Sequence, residues 1–403
     1  MDVNQPLALL AGLTPAQFMR RHWQKKPLVV RQALPGFKPF LSRAELFGLA
    51  ASEEVDSRLI AQQPNGWALK HGPFALRGLP PLKQPGWTLL VQSVDLHNTD
   101  AHQLLQRFRF VPDARLDDLM ISFATPGGGV GPHFDSYDVF LFQASGRRRW
   151  RIGKQKELAL QPGVPLKILS NFQAEEEFVL EAGDMLYLPP RYAHDGVAEA
   201  VAGVDGKAGD CMTYSIGFRA PAKQELAAEM LHRLAEFHEV DAQEEPTDTR
   251  CAPSEAGRLY RDAKQPATTS PAALPSTLVD YARAAVAEAL QDPLALACVL
   301  GEYMTQLKPS VWFDDSPQSF VVGPDSPGVF LAPQTRMMYG EHHVFINGES
   351  YRAKGADAKL MHILADDRGL SGSQLRKASP AAIELMTEWH GEGWLRCSAR
   401  QSL

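Results

Sequence analysis

The chain carries few cysteines, four among 403 residues: Cys211, Cys251, Cys298 and Cys397. None forms a CxxC pair, so neither a zinc site nor a disulfide framework is expected. No apolar run approaches the roughly 18–20 residues that span a bilayer, and no membrane association is expected. Positive charge is not in excess: 41 Lys and Arg stand against 47 Asp and Glu, a net −6, the wrong sign for a general nucleic-acid binder. Neither an internal repeat nor a sustained heptad is visible. The first residues, MDVNQPLALLAGLTPAQF, lack a basic stretch before their short apolar one and are expected to be helical rather than a signal peptide. A cytoplasmic protein of two or three units is the expectation these absences leave.

Three zones differ in pattern. Residues 1–220 hold aromatic and β-branched runs broken by Gly and Pro, which predicts many short strands. The runs are WTLLVQSVDL (87–96), DDLMISFAT (117–125), YDVFLFQA (137–144), RRRWRI (147–152) and DMLYLPP (184–190). Helix is expected there only near the start, where Thr14 can cap and Pro15 takes the first helical position. From Pro221 the pattern turns helical. KQELAAEMLHRLAEFHEV (223–240) sets Leu226, Met230, Leu234 and Phe237 at helical spacing, and the runs 278–291 and 294–307 follow. The polar stretch 241–275 between them reads as exposed connection. In the last zone HHVFINGESYRA (342–353) alternates like a hairpin around Asn347-Gly348, and 358–366 and 380–393 read as helices. Together they suggest a small winged-helix-like module.

The chemistry concentrates in ATPGGGVGPHFDSYDVFLFQASGRRRW (124–150). His133 and Asp135 are two apart, and extended backbone points such residues to one side, where an imidazole and a carboxylate can meet one ion. The glycines before them are expected to keep the approach thin. A third ligand is offered by His194, behind the strand and loop of EAGDMLYLPPRYAHDG (181–196). An HxD pair alone is common in surface loops; two His and a carboxylate together occupy one face of an octahedron and leave three positions, the arrangement of non-haem Fe(II) oxygenases. Structural zinc prefers four ligands rich in Cys, and none is near. A ketoacid cosubstrate would need a cation for its distal carboxylate, and a guanidinium fork suits it. After a hairpin turn expected at Ala144-Ser145-Gly146, Arg148 and Trp150 share one strand face and Arg147, Arg149 and Arg151 the other. One inward arginine is more economical than four, and Arg148 takes that role.

The motif PHFD…RRRW…GD.LY.PP…H, with WQKKPLVV (23–30) upstream and YSIGFRAP (214–221) downstream, resembles the bacterial JmjC-type ribosomal oxygenases. The resemblance implies a mainly β fold with added α. It divides into a double-stranded β-helix catalytic domain of the JmjC/cupin kind over 1–220, a helical dimerisation region over 221–307 and a winged-helix-like domain over 308–403. It implies Fe(II) held by His133, Asp135 and His194, 2-oxoglutarate anchored by Arg148, and O2 as the other cosubstrate. The implied reaction hydroxylates C3 of an arginine side chain in a large-subunit ribosomal protein and releases succinate and CO2; the implied assembly is a homodimer. Relatives often carry a hydroxyl where this chain has Ala124, which leaves Ser122 or Thr125 for a second contact to the carboxylate.

A substrate pocket follows from strand spacing. Asp118, Met120 and Ser122 alternate along LDDLMISF, Tyr137 lies two past Asp135, and Ser215 lies on the strand expected to close the barrel. An acid, a thioether, a ring and a hydroxyl suit a guanidinium on a methylene stem. Two other readings share these residues: a JmjC-type N-methyl demethylase, and a non-enzymatic cupin-like binding or regulatory protein.

Overall fold

Alternation in the strands sorts the side chains of the first zone into two layers. In the computed structural model, which describes residues 2–63, 66–201, 209–241, 260, 274–314, 320, 322–323 and 326–397, eleven strands of this zone pair antiparallel wherever they meet. They are β1 (Leu28–Val30), β2 (Ser57–Gln63), β3 (Gly66–His71), β4 (Trp87–Val91), β5 (Leu116–Ala124), β6 (Val139–Ser145), β7 (Arg147–Gly153), β8 (Glu176–Glu181), β9 (Met185–Leu188), β10 (Ala193–Ala198) and β11 (Cys211–Phe218). Eight form one sheet in the order β1-β9-β6-β11-β5-β4-β2-β3, and β10-β7-β8 form a second. The double-stranded β-helix layout and the early strand expectations hold.

One face of the large sheet carries Leu119, Ile121 and Phe123 of β5, Phe140 and Phe142 of β6, and Tyr214 and Ile216 of β11. Three helices supply residues to the same core: α1 (Pro15–Arg21), α2 (Arg43–Leu49) and α3 (Thr99–Gln106), through Phe18, Leu46, Phe47, Leu104 and Leu105. Each such side chain contributes about 1.5–3 kcal/mol by leaving water. Thr14 caps α1 in a reciprocal box with Gln17, as expected; α2 and α3 were not expected. Their caps, Ser42 and Asn98, follow the usual rule, but at seven and eight residues they are too short to show a helical period.

The opposite face meets the small sheet. Val139, Leu141, Trp150, Ile152, Leu180, Leu186, Leu188 and Tyr192 pack there, and the polar residues of the site share that interior. Gly146 turns the chain between β6 and β7 at φ +68°, and a Cβ there would lie 2.7 Å from the Asp210 carbonyl oxygen. The turn is not a hairpin: β6 stays in the large sheet while β7 joins the small one. The glycines at 127–129 also differ from expectation. Gly127 donates to Ala198 O, and Gly128 O accepts from Ala198 N, so they let two backbones meet rather than thin an entrance.

The chain divides into two compact units at the expected change of pattern, Met1–Ala220 and Pro221–Leu403. In the second, α4 (Lys223–Asp241) meets α6 (Pro293–Thr305) through Met230, Leu234, Ala295 and Val299, and α5 (Ser276–Ala289) precedes α6. A further core joins β12 (Val329–Leu331), the hairpin β14 (His343–Ile346) and β15 (Glu349–Arg352), α7 (Gly355–Asp367) and α9 (Pro380–Gly391), with β13 (Met337–Tyr339) beside β14 and α8 (Gly372–Leu375) between the helices. Asn347 and Gly348 both take positive φ, as the hairpin expectation requires. A Cβ on Gly301 of α6 would clash with the Phe345 ring, so α6 packs on β14 as well as on α4. Most of the stretch 241–275 lies outside the described residues. No single described helix is long and apolar enough to cross a membrane.

A close approach between β10 and β7 yields a stability prediction. Gly196 of β10 faces Trp150 of β7, and a Cβ on it would lie 2.6 Å from the indole. Gly196→Ala should destabilise the protein by about 1–3 kcal/mol through overpacking, read from the shift in its chemical denaturation midpoint. An unchanged midpoint would show that the indole has room to move.

Candidate metal centre and active site

His133 and His194 are brought together by backbone. Each donates its amide N–H to the carbonyl of the other, at 2.9 and 2.8 Å, in an isolated antiparallel bridge. His194 follows the loop behind β9, as expected, and lies on β10, while Asp135 follows the bridge in irregular backbone rather than on a strand. The outcome the spacing predicted is nevertheless present: ligand atoms of His133, Asp135 and His194 all lie within 4.8 Å of one another. The Asp135 Oδ2 is 3.6 Å from His194 Nε2.

The second ring nitrogens are committed. His133 Nδ1 meets Gly131 O at 2.8 Å and His194 Nδ1 meets Tyr192 O at 2.9 Å. An imidazole that donates from Nδ1 keeps its lone pair on Nε2, and such partners orient metal-binding histidines. Burial and the neighbouring His133 push His194 down to about 4, against the smaller upward pull of Asp135 and the Tyr192 carbonyl. The ring is therefore neutral near pH 7, the form that binds a metal. With two aimed imidazoles, one carboxylate and no thiolate ligand, the donor set suits Fe(II).

Strand β7 separates its four arginines as expected. Arg147, Arg149 and Arg151 are outside, paired with Glu181 and Glu199, with Glu177 and Glu199, and with Asp195. Arg148 points inward and is only 4% exposed. Among the described residues its Nε has no hydrogen-bond partner and its Nη2 reaches only the Cys211 sulfur, at 4.0 Å, and its guanidinium lies 5.9 Å from the Trp150 ring centroid. That ring is in turn 5.9 Å from His194. A buried cation lacking a carboxylate is the feature a ketoacid's distal carboxylate would satisfy.

The flanking hydroxyls are differently placed. Ser122 is buried on the inward face and donates to Thr213 O at 3.3 Å. Thr125 lies just beyond β5, and its hydroxyl exchanges hydrogen bonds with the backbone of Trp87. Register sets Met120 directly across from Ser215. Asp118 lies further along the same face, buried, with Oδ2 accepting from Ser93 N at 3.0 Å and Ser93 Oγ at 2.9 Å. Its Oδ1 faces Gly217, 3.5 Å from where a Cβ would stand. Tyr137 is 39% exposed. Desolvation of the phenol and the charges of Asp135 and Asp118 push its titration up, while Arg58 acts the other way. Asp118, Asp135 and Tyr137 thus belong to one neighbourhood. Sequence reading missed Gln143, Cys211, Thr213 and Thr88, which line the same interior. Cys211 and Thr213 stand four and two before Ser215, so the alternation that exposed Ser215 also carries them.

Comparison with known proteins gives two domain matches: a JmjC domain over residues 103–226 and a ROXA-like winged helix over residues 288–396. The ribosomal protein uL16 3-hydroxylase of Escherichia coli (strain K12) is 38% identical over 290 residues, 72% of this chain and 70% of that protein. The X-ray structure of E. coli YcfD superposes with a TM-score of 0.80 at 30% identity, covering 96% of this chain and 98% of that one. A structure of YcfD, described as a ribosomal oxygenase, in complex with cobalt and 2-oxoglutarate superposes at 0.77, again at 30% identity, and covers 96% and 99%. The chain belongs to the JmjC-domain ribosomal oxygenases.

Proposed function

We propose that this protein is an Fe(II)- and 2-oxoglutarate-dependent oxygenase that hydroxylates C3 of an arginine side chain in the large-subunit ribosomal protein uL16. The observation that carries the reading is the buried, carboxylate-free guanidinium of Arg148 in the same barrel interior as the facing His133, Asp135 and His194. The similarity to the uL16 3-hydroxylase supports the substrate.

In this reading His133, Asp135 and His194 hold the iron and Arg148 holds the distal carboxylate of 2-oxoglutarate; the hydroxyls of Ser122 and Thr125 each already donate to a backbone carbonyl. Bound there, Fe(II), 2-oxoglutarate and O2 supply the oxidising power for C–H hydroxylation and yield succinate and CO2. The protein's own work is positional. The Gly131 and Tyr192 carbonyls fix both imidazoles, and the apolar wall of Val139, Leu141, Trp150 and Leu186 excludes water from the interior. Asp118 offers its carboxylate to the substrate guanidinium, while Met120, Tyr137 and Ser215 line the methylene stem. Residues 1–220 form the catalytic domain, 221–307 the dimerisation region and 308–403 the winged-helix-like domain of a cytoplasmic homodimer. Leu231 of α4, Val279 and Val286 of α5, and Leu296 and Leu300 of α6 are exposed apolar side chains that a two-fold partner would cover.

Three tests follow. His133→Ala or Asp135→Ala should abolish succinate formation with the fold intact, and Arg148→Ala should weaken 2-oxoglutarate binding roughly 100- to 1000-fold, the scale of removing one partner of a buried charge pair. Arg147→Ala should change it little; equal effects at 147 and 148 would contradict the inward assignment. Asp118→Ala should depress hydroxylation of an arginine-containing uL16 peptide while uncoupled 2-oxoglutarate turnover stays near normal, both rates being read on one preparation; unchanged peptide hydroxylation would remove Asp118 from the site. Sedimentation at micromolar concentration should give a dimer, and Val286→Asp with Leu300→Asp a monomer; a wild-type monomer would refute the assembly.

A further inference from the structure

The interior around Arg148 has a second wall, made by a thiol. Register sets Cys211 of β11 across from Ala124 of β5, and Thr88 of β4 across from the same Ala124. Ala124, Ala198 and Cys211 pack together, all buried. Cys211 is a free thiol, 2% exposed. Its sulfur lies 4.0 Å from Arg148 Nη2, accepts from Gln143 Nε2 at 3.4 Å, and its S–H reaches Arg147 O at 3.4 Å.

The nearby hydroxyls are engaged elsewhere. Thr88 donates to Gly129 O, Ser122 to Thr213 O, Thr125 to Trp87 O, and Thr213 to Gln143 Oε1. An inward guanidinium, more than nine-tenths buried and with an unpartnered Nε, therefore has a sulfur as the side chain touching its Nη2.

We propose that Cys211 is the second binding residue for the cosubstrate's distal carboxylate, its thiol packing against that carboxylate and donating weakly to it beside Arg148. The proposal rests on the 2-oxoglutarate reading of Arg148 given above. Three features support it. The thiol is the side chain in contact with the guanidinium; it can turn its S–H from the long Arg147 carbonyl contact without losing a strong hydrogen bond; and its soft, small sulfur suits the methylene next to a carboxylate. The chain accordingly anchors this carboxylate by one strong charged partner and one weak donor, and cosubstrate affinity is limited at Cys211.

Titration calorimetry of 2-oxoglutarate into the full-length Zn(II)-loaded protein tests this without turnover. A serine hydroxyl is the stronger donor to a charged acceptor, so Cys211→Ser should bind about fivefold more tightly, and Cys211→Ala about as much more weakly. With both carboxylates of 2-oxoglutarate labelled with 13C, Cys211→Ser should move the resonance of the distal one and leave that of the one next to the keto group in place, a signature that general loosening would not give. Affinities of both variants within about twofold of wild type, with neither resonance moved, would overturn the role of Cys211 while Arg148→Ala still lost binding. Wild-type affinity in Arg148→Ala would instead overturn the carboxylate assignment and this proposal with it.

Discussion

A guanidinium held inside a protein without a carboxylate is the constraint on which the catalytic domain is arranged. Removing such an ion from water costs several kcal/mol even after relaxation, and Arg148 carries that cost alone. Its three neighbours on β7 point out to acidic partners: Arg147 and Arg149 form exposed pairs with Glu181 and Glu177, each worth about 0–1 kcal/mol, and Arg151 pairs with the buried Asp195. The stability that offsets Arg148 comes from the other face of the large sheet, where rings such as Phe18, Phe140, Tyr187 and Phe218 contact one another. A buried polar interior on one face is tolerated because the opposite face is a dense apolar core, a division set by the period of two in β5, β6 and β11.

The groups proposed to bind the metal are held by a different device. His133 and His194 reach each other through a two-hydrogen-bond bridge between a loop and β10, and each ring is then locked by a carbonyl two residues before it. The geometry is preset by backbone, and burial keeps His194 neutral. Asp138, three residues after Asp135, fixes the chain on the far side: buried, it accepts from Tyr187 Oη at 2.6 Å and Gln24 Nε2 at 3.1 Å. The ligand loop is thus pinned at both ends.

What was legible in the sequence was what depends on spacing. Alternation separated Arg148 from Arg147, Arg149 and Arg151, and aligned Asp118, Met120 and Ser122. Order along the chain assembled His133, Asp135 and His194. What depends on tertiary backbone contact was not legible. The role of the glycines at 127–129 follows from a pairing with β10 that no local pattern encodes, and the turn at Gly146 reads as a hairpin until the partners of β6 and β7 are known. Helices α2 and α3 were missed because two turns carry too little periodicity, though Ser42 and Asn98 marked their starts. Cys211 was set aside because an isolated cysteine carries no pattern; its neighbour Arg148 lies on another strand of another sheet.

The proposed facial iron site, carboxylate anchor and substrate-binding acid meet in one reaction, and that reaction is most directly tested on the substrate itself. Purified uL16 incubated with the protein, Fe(II), 2-oxoglutarate and O2 should gain the mass of one oxygen atom, localised by fragmentation to C3 of a single arginine, with succinate formed in equal amount. Loss of a methyl group from uL16, or succinate formed while uL16 keeps its mass, would contradict it.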